Sequence, residues 1–135
     1  MTPEGQAALD EIRESRGYTL PFHEILAEAN PEFLTRYSQL ASFVLFGDEE
    51  GRAIDLKTRY LILVGITTAV KGDREGIEFA ATRAVQNGAS WTEVYEAAFL
   101  AALPAGIPAF EGACRTFAEL KSGTGVVKQD ELPPK

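Results

Sequence analysis

The sequence predicts an all-α fold, a single-domain helical bundle of five to six helices. Three observations predict it. Helix-start and helix-stop residues alternate along the chain, and apolar residues recur at intervals of three and four. No segment alternates apolar and polar residues as a half-buried strand would.

The elements follow in order. Thr2-Pro3 reads as a cap and first helical residue, Ala8, Leu9 and Ile12 form one apolar stripe, and Gly17 is the stop. Thr19 to Ala29 reads as a brief helix entered through Pro21. Asn30-Pro31-Glu32 combines a cap, a proline and an acid beside the positive end of the helix dipole. Phe33, Leu34, Tyr37, Leu40, Ala41, Val44 and Leu45 then mark an amphipathic helix ending at Gly47, and Asp48 to Gly51 reads as a polar loop.

Asp55 can cap the next helix. Leu56 to Val70 is apolar on nearly every side past Arg59, which predicts a place at the centre of the bundle or at a subunit contact. Lys71-Gly72 ends it. Asp73 is expected to cap a helix with Ile77, Ala81, Ala84 and Val85 inward, closed by Asn87-Gly88. Ser90 and Glu93 form a capping box, each satisfying a backbone donor at the other's position. Pro104, Gly106 and Pro108 mark a break. Ala109 to Lys121 is the last helix, with Phe110, Ala113, Phe117 and Leu120 inward. Residues 1–123 are thus expected to form one domain, and residues 124–135 a loose tail.

Length and charge bound the function. A chain of 135 residues can bury roughly 68% of its unfolded surface, enough for a core without disulfides. The formal charge of −7 and the lack of a basic cluster argue against nucleic acid and anionic membranes as partners. The single cysteine, Cys114, rules out an intrachain disulfide. Met1 to Asp10 has neither a basic start nor an apolar run, so no signal peptide is expected and the cytoplasm is the default location.

From Ile54 to Leu120 the chain resembles the carboxymuconolactone decarboxylase-like family, which includes the alkylhydroperoxidase-D-like proteins. The resemblance is carried by Asp55-Leu56-Lys57-Thr58-Arg59, the apolar helix, Arg83-Ala84-Val85-Gln86-Asn87-Gly88-Ala89-Ser90, Glu93 and Ala105-Gly106-Ile107-Pro108-Ala109. It implies an alkylhydroperoxidase-D-like helical fold that assembles into trimers or hexamers through apolar helices. The peroxidase branch carries a Cys-x-x-Cys pair and a histidine one turn later. Aligned through Asn87-Gly88-Ala89, those positions hold Asp73, Gly76 and Ala80, so thiol-disulfide turnover is excluded there.

The decarboxylase branch carries acids in the same region, and Glu75 and Glu78 remain acidic. The resemblance thus implies a decarboxylase-like lyase acting on a small carboxylated or cyclic metabolite. Such chemistry needs a cation to hold the substrate carboxylate and an acid to protonate the carbanion. Arg59 or Arg83 is the candidate for the first task; Glu75, Glu78 or His23 is the candidate for the second. Each has a plainer reading. His23, the sole histidine, can be merely hydrogen-bonded; Glu75 and Glu78 can be a solvated first turn; Arg59 can pair with Asp55 or a neighbouring subunit. One histidine with scattered carboxylates has no metal-ligand spacing, and no cofactor is expected. Two alternatives stand beside the enzyme: a non-enzymatic homo-oligomeric binding or accessory protein, and a thiol peroxidase using Cys114 with an external thiol.

Overall fold

A computed structural model describes residues 1–47 and 52–125. Among these the chain is helical, with no strand: α1 (Pro3–Arg16), α2 (Pro21–Ala29), α3 (Pro31–Leu45), α4 (Leu56–Ala69), α5 (Arg74–Gln86), α6 (Trp91–Leu100), α7 (Ala102–Ala105) and α8 (Ile107–Lys121). The count exceeds five to six because brief α2 forms in full and Ala102–Ala105 adds a single turn before Gly106. The expected loop at 48–51 and most of the expected tail, 126–135, lie outside the described residues. Packing sorts the helices into two compact units, Met1–Ala53 and the stretch from Ile54 onward.

Side chains cap half of the helix starts. Thr2, Asn30, Asp55 and Ser90 each accept a hydrogen bond from the backbone N–H three residues on, at 2.8–3.1 Å. Glu93 returns the bond to the Ser90 N–H at 3.1 Å, completing the capping box. Asp73 departs from expectation: its side chain makes no bond to the first turn of α5. At the end of α4, Lys71 takes the left-handed conformation (φ 53°) that more often falls to glycine.

In the first unit the core consists of Ala8, Leu9 and Ile12 from α1, Ala27 from α2 and Leu34 from α3. Gly5 permits the close packing of α1 on α2, since a Cβ there would lie 2.4 Å from the Ala27 carbonyl oxygen. The expected apolar stripe of α3 is mostly outside this core. Leu34 alone is buried on that helix, while Phe33, Leu40, Phe43 and Val44 are exposed.

In the second unit α5 occupies the middle, and every residue from Ile77 to Ala84 is buried. Of the two places expected for the apolar stretch of α4, the centre of the bundle is thus taken by α5. On α4 only Tyr60, Val64 and Thr68 are buried, one per turn, whereas Ile62, Ile66 and Val70 are exposed. Small residues explain the inversion: Ala80, Ala81 and Ala84 let neighbouring helices close around α5. Across the α4–α5 contact, Tyr60 and Phe79 meet edge to face at 6.3 Å. Gly65 brings α4 close to the Ala97 backbone of α6. Trp91, Tyr95 and Phe117 form an aromatic cluster between α6 and α8, with centroid separations of 5.4–6.3 Å.

Candidate functional site

α5 carries the densest set of buried polar groups in the second unit. Glu78 is 0% exposed and Arg83 1%, and Thr82 is buried between them. Carboxylates and guanidinium groups are seldom fully buried without partners. Arg74, one turn before Glu78, donates from Nε to Glu78 Oε1 at 3.0 Å and also pairs with Glu119 of α8. Its Nη2 reaches the Thr124 carbonyl at 3.4 Å. The bond to Glu78, ahead of the charge of Glu119, holds the Arg74 guanidinium more firmly protonated than usual. Gly125 closes over the pair: a Cβ there would lie 2.7 Å from Glu78 Oε1.

Arg83 is held on the same helix by different partners. Its Nη1 donates to Gln86 Oε1 at 2.9 Å, and its guanidinium lies 5.3 Å from the centre of the Phe79 ring. Glu75 stands in the first turn, half-buried, with no hydrogen bond or ion pair among the described residues. Glu75 and Glu78 are therefore neighbours along one helix in unlike settings, one open and one paired. Arg59 lies half-buried in the first turn of α4.

His23 belongs to the first unit. It is 1% exposed, and its Nδ1 accepts the Leu20 backbone N–H at 2.9 Å. That bond leaves the imidazole proton on Nε2, which meets no partner among the described residues. Burial first, then the positive charge of Arg16, lower its pKa to about 4. Near neutrality His23 is therefore an uncharged donor. Its Nδ1 lone pair is engaged and its imidazolium is scarce, so the geometry suits hydrogen bonding better than proton transfer.

Two cavities among the described residues of the second unit bear on the site. One, of about 320 Å³, sits where the end of α4 meets the starts of α5 and α8; Thr68, Lys71, Arg74 and Ile77 are on its wall. The other, of about 410 Å³, is an apolar groove between α4, α6 and α7 lined by Leu61, Ile62, Ile66, Ala97 and Leu100. Neither wall includes Arg59, Glu75, Glu78 or Arg83; Glu78 reaches the first cavity only through Arg74. Sequence reading missed Arg74, Lys71 and Thr68. The available signal was the i,i+4 spacing of Arg74 and Glu78, which predicts a pair on one helical face.

Cys114 on α8 is half-buried, and burial, then the charge of Glu111, push its thiol above its ordinary value. A thiol so placed is a poor nucleophile. Among the described residues no cluster of three metal-ligating side chains occurs, and no helix is long and apolar enough to cross a membrane.

The family model described as Carboxymuconolactone decarboxylase family matches residues 31–119. No curated protein and no solved structure matches the chain. The matched region takes in α3 and nearly all of the second unit, so Arg59, Glu75, Glu78 and Arg83 lie within it and His23 precedes it. With two-thirds of its length matched and a wholly helical fold among its described residues, this chain belongs to the carboxymuconolactone decarboxylase family.

Proposed function

We propose that the protein is a decarboxylase-like lyase that handles a small carboxylated or cyclic metabolite at the start of α5. The observation that carries this reading is the Arg74–Glu78 pair. A fully buried carboxylate fixes a guanidinium on the wall of a 320 Å³ cavity, a volume that suits a small metabolite. A guanidinium so held is pre-organised for a substrate carboxylate. Decarboxylation breaks a C–C bond, leaves the electron pair on carbon and requires a proton there. Glu75, without a partner in the same helical turn, is the nearest candidate donor along the chain. Arg83 would act by holding α5 in place, and Arg59, in the first turn of α4 and away from the cavity at its other end, would take no part in the reaction.

Release of carbon dioxide from carboxymuconolactone, the compound in the family's name, tests the reading. Glu78→Gln is expected to lower turnover at least about tenfold while the helical signal is retained. Full turnover in Glu75→Gln, Glu78→Gln and His23→Ala alike would remove the proposal.

A second reading is favoured by a separate observation. Ile62, Ile66 and Val70 of α4, Phe99 and Leu100 of α6 and Leu103 of α7 are exposed around the apolar groove. Burying each such side chain is worth about 1.5–3 kcal/mol. We read this face as the contact of a homo-oligomer, a trimer or hexamer closed by rotational symmetry, in the cytoplasm. The oligomer would serve the enzyme equally well, or a binding protein that has kept the scaffold without the reaction. A monomeric mass in sedimentation equilibrium at micromolar concentration would contradict it.

A further inference from the structure

In the first unit α3 carries an apolar stripe that the core of that unit does not use. Phe33, Tyr37, Leu40 and Val44 follow one another at steps of four, three and four residues, the spacing of a seam between two helices. Their exposures are 54%, 38%, 62% and 56%, whereas Leu34, on the adjoining face, is the residue that α3 gives to the core. From α2, Phe22 meets Tyr37 edge to face at 5.6 Å, so the stripe is backed by a packed helix. Ile25, one turn on from Phe22, widens the stripe and is exposed.

We propose that α3 packs antiparallel on α3 of a second copy about a two-fold axis, and that three such contacts join two rings of three into a hexamer. The inference rests on reading the α4 face as the contact that closes each ring.

Charge selects a second copy as the occupant. The chain carries a formal charge of −7, which opposes self-contact over most of its surface. α3 is the exception, because its only charges are Glu32 and Arg36, and they pair with each other at 2.8 Å. Two such helices meet with no like charges opposed. In the antiparallel order Phe33 faces Val44 of the second copy, Tyr37 faces its Leu40, and the helix dipoles offset each other. The same order brings Glu28 and Glu32, on either side of the Asn30 turn, to the end of the second α3 where Arg52 lies. The Arg52 guanidinium is 5.1 Å from the centre of the Phe43 ring there.

Area explains why the contact works through the ring. Phe33, Tyr37, Leu40, Val44 and Ile25 each offer roughly 100 Å², so one pair of copies buries about 1,000 Å², little for a lone dimer. Three pairs acting together bury about 3,000 Å², in the range of permanent assemblies, and the ring holds each pair close once the first has formed.

Sedimentation equilibrium of the full chain at micromolar concentration tests the proposal, with circular dichroism on each variant. The unaltered protein is expected at six copies, and Leu40→Glu at three with its helical signal kept, a twofold fall in mass. Gln39→Glu adds the same charge at an exposed position off the stripe and is expected to stay at six. A parent of three copies, a Leu40→Glu variant that keeps the parent's mass, or a Gln39→Glu variant that halves it overturns the α3 contact and leaves the ring standing. A parent of two copies that Leu40→Glu reduces to one would uphold the α3 pairing and remove the ring. The order of the helices is read by oxidation in a Cys114→Ser background. Chains carrying Phe33→Cys and chains carrying Val44→Cys are expected to cross-link when mixed and not when alone; a cross-link in either alone overturns the antiparallel order.

Discussion

α4 and α5 are packed side by side in the second unit, and their depths are the reverse of their apolarity. α4 carries the longest apolar stretch of the chain, yet it buries only one residue per turn, through Tyr60, Val64 and Thr68. α5 is more polar and is buried without interruption from Ile77 to Ala84, with Glu78, Thr82 and Arg83 among those residues. The contrast separates two quantities that sequence patterning merges. Residue volume decides which helix can be surrounded, and the alanines of α5 let its neighbours close in. Apolarity beyond what one chain can bury measures surface left for something else.

The contrast breaks most sharply at Arg83, one of the largest fully buried side chains. Arg83→Ala would leave a cavity, strand Gln86 Oε1 and lose the stacking on Phe79, so a loss of about 3–5 kcal/mol is expected in a denaturant titration. A loss below about 1 kcal/mol would mean that α5 is less enclosed than its burial indicates.

The first unit offers a parallel case of a buried polar group. His23 has its pKa lowered from 6.5 to about 4, so between these values the unfolded chain binds the proton that the folded one refuses. Stability contributed by the neutral imidazole is fully present above pH 6.5. It is lost as the pH falls through that window and levels off near pH 4. The total is about 3 kcal/mol, at 1.36 kcal/mol for each unit of pKa. His23→Phe should flatten that part of the stability profile; an unchanged slope would place its origin elsewhere.

The smallest expected effect sharpens the boundary of the buried stretch. Gly76 precedes Ile77 in α5, and a Cβ added there meets nothing within 4 Å. Gly76→Ala should stabilise the protein by about 0.5–1 kcal/mol through helix propensity alone. Destabilisation would show that burial begins one residue earlier.

These particulars also mark what was legible in the sequence. Helix starts at Thr2, Asn30, Asp55 and Ser90 were readable because a cap is a contact within three residues. Gly17, Gly88 and Gly106 were readable as stops for the same local reason, each taking a positive φ. Inward stripes were readable on α1, α5 and α8, where Ile12, Ala81 and Phe117 are buried as expected; the depth of α3 and α4 was not, because it depends on which faces meet across the fold. The periodicity of α3 correctly gave an amphipathic helix but not that Phe33, Leu40 and Val44 of its apolar stripe would stay exposed. At the site, the sequence pointed to Glu78 and Arg83 through their charge and family position. The i,i+4 spacing offered Arg74 as a partner for Glu78, but nothing in the sequence showed that Arg74 would stand on a cavity wall.

The outward face of α4, with Ile62 and Ile66 exposed, is surplus to the fold of a single chain. Sedimentation equilibrium of the unaltered protein beside an Ile62→Glu, Ile66→Glu double variant, with circular dichroism on both, puts this to the test. An assembled parent and a monomeric variant that is equally helical are expected. A variant that keeps the parent's mass, or one that loses its helices, would contradict it.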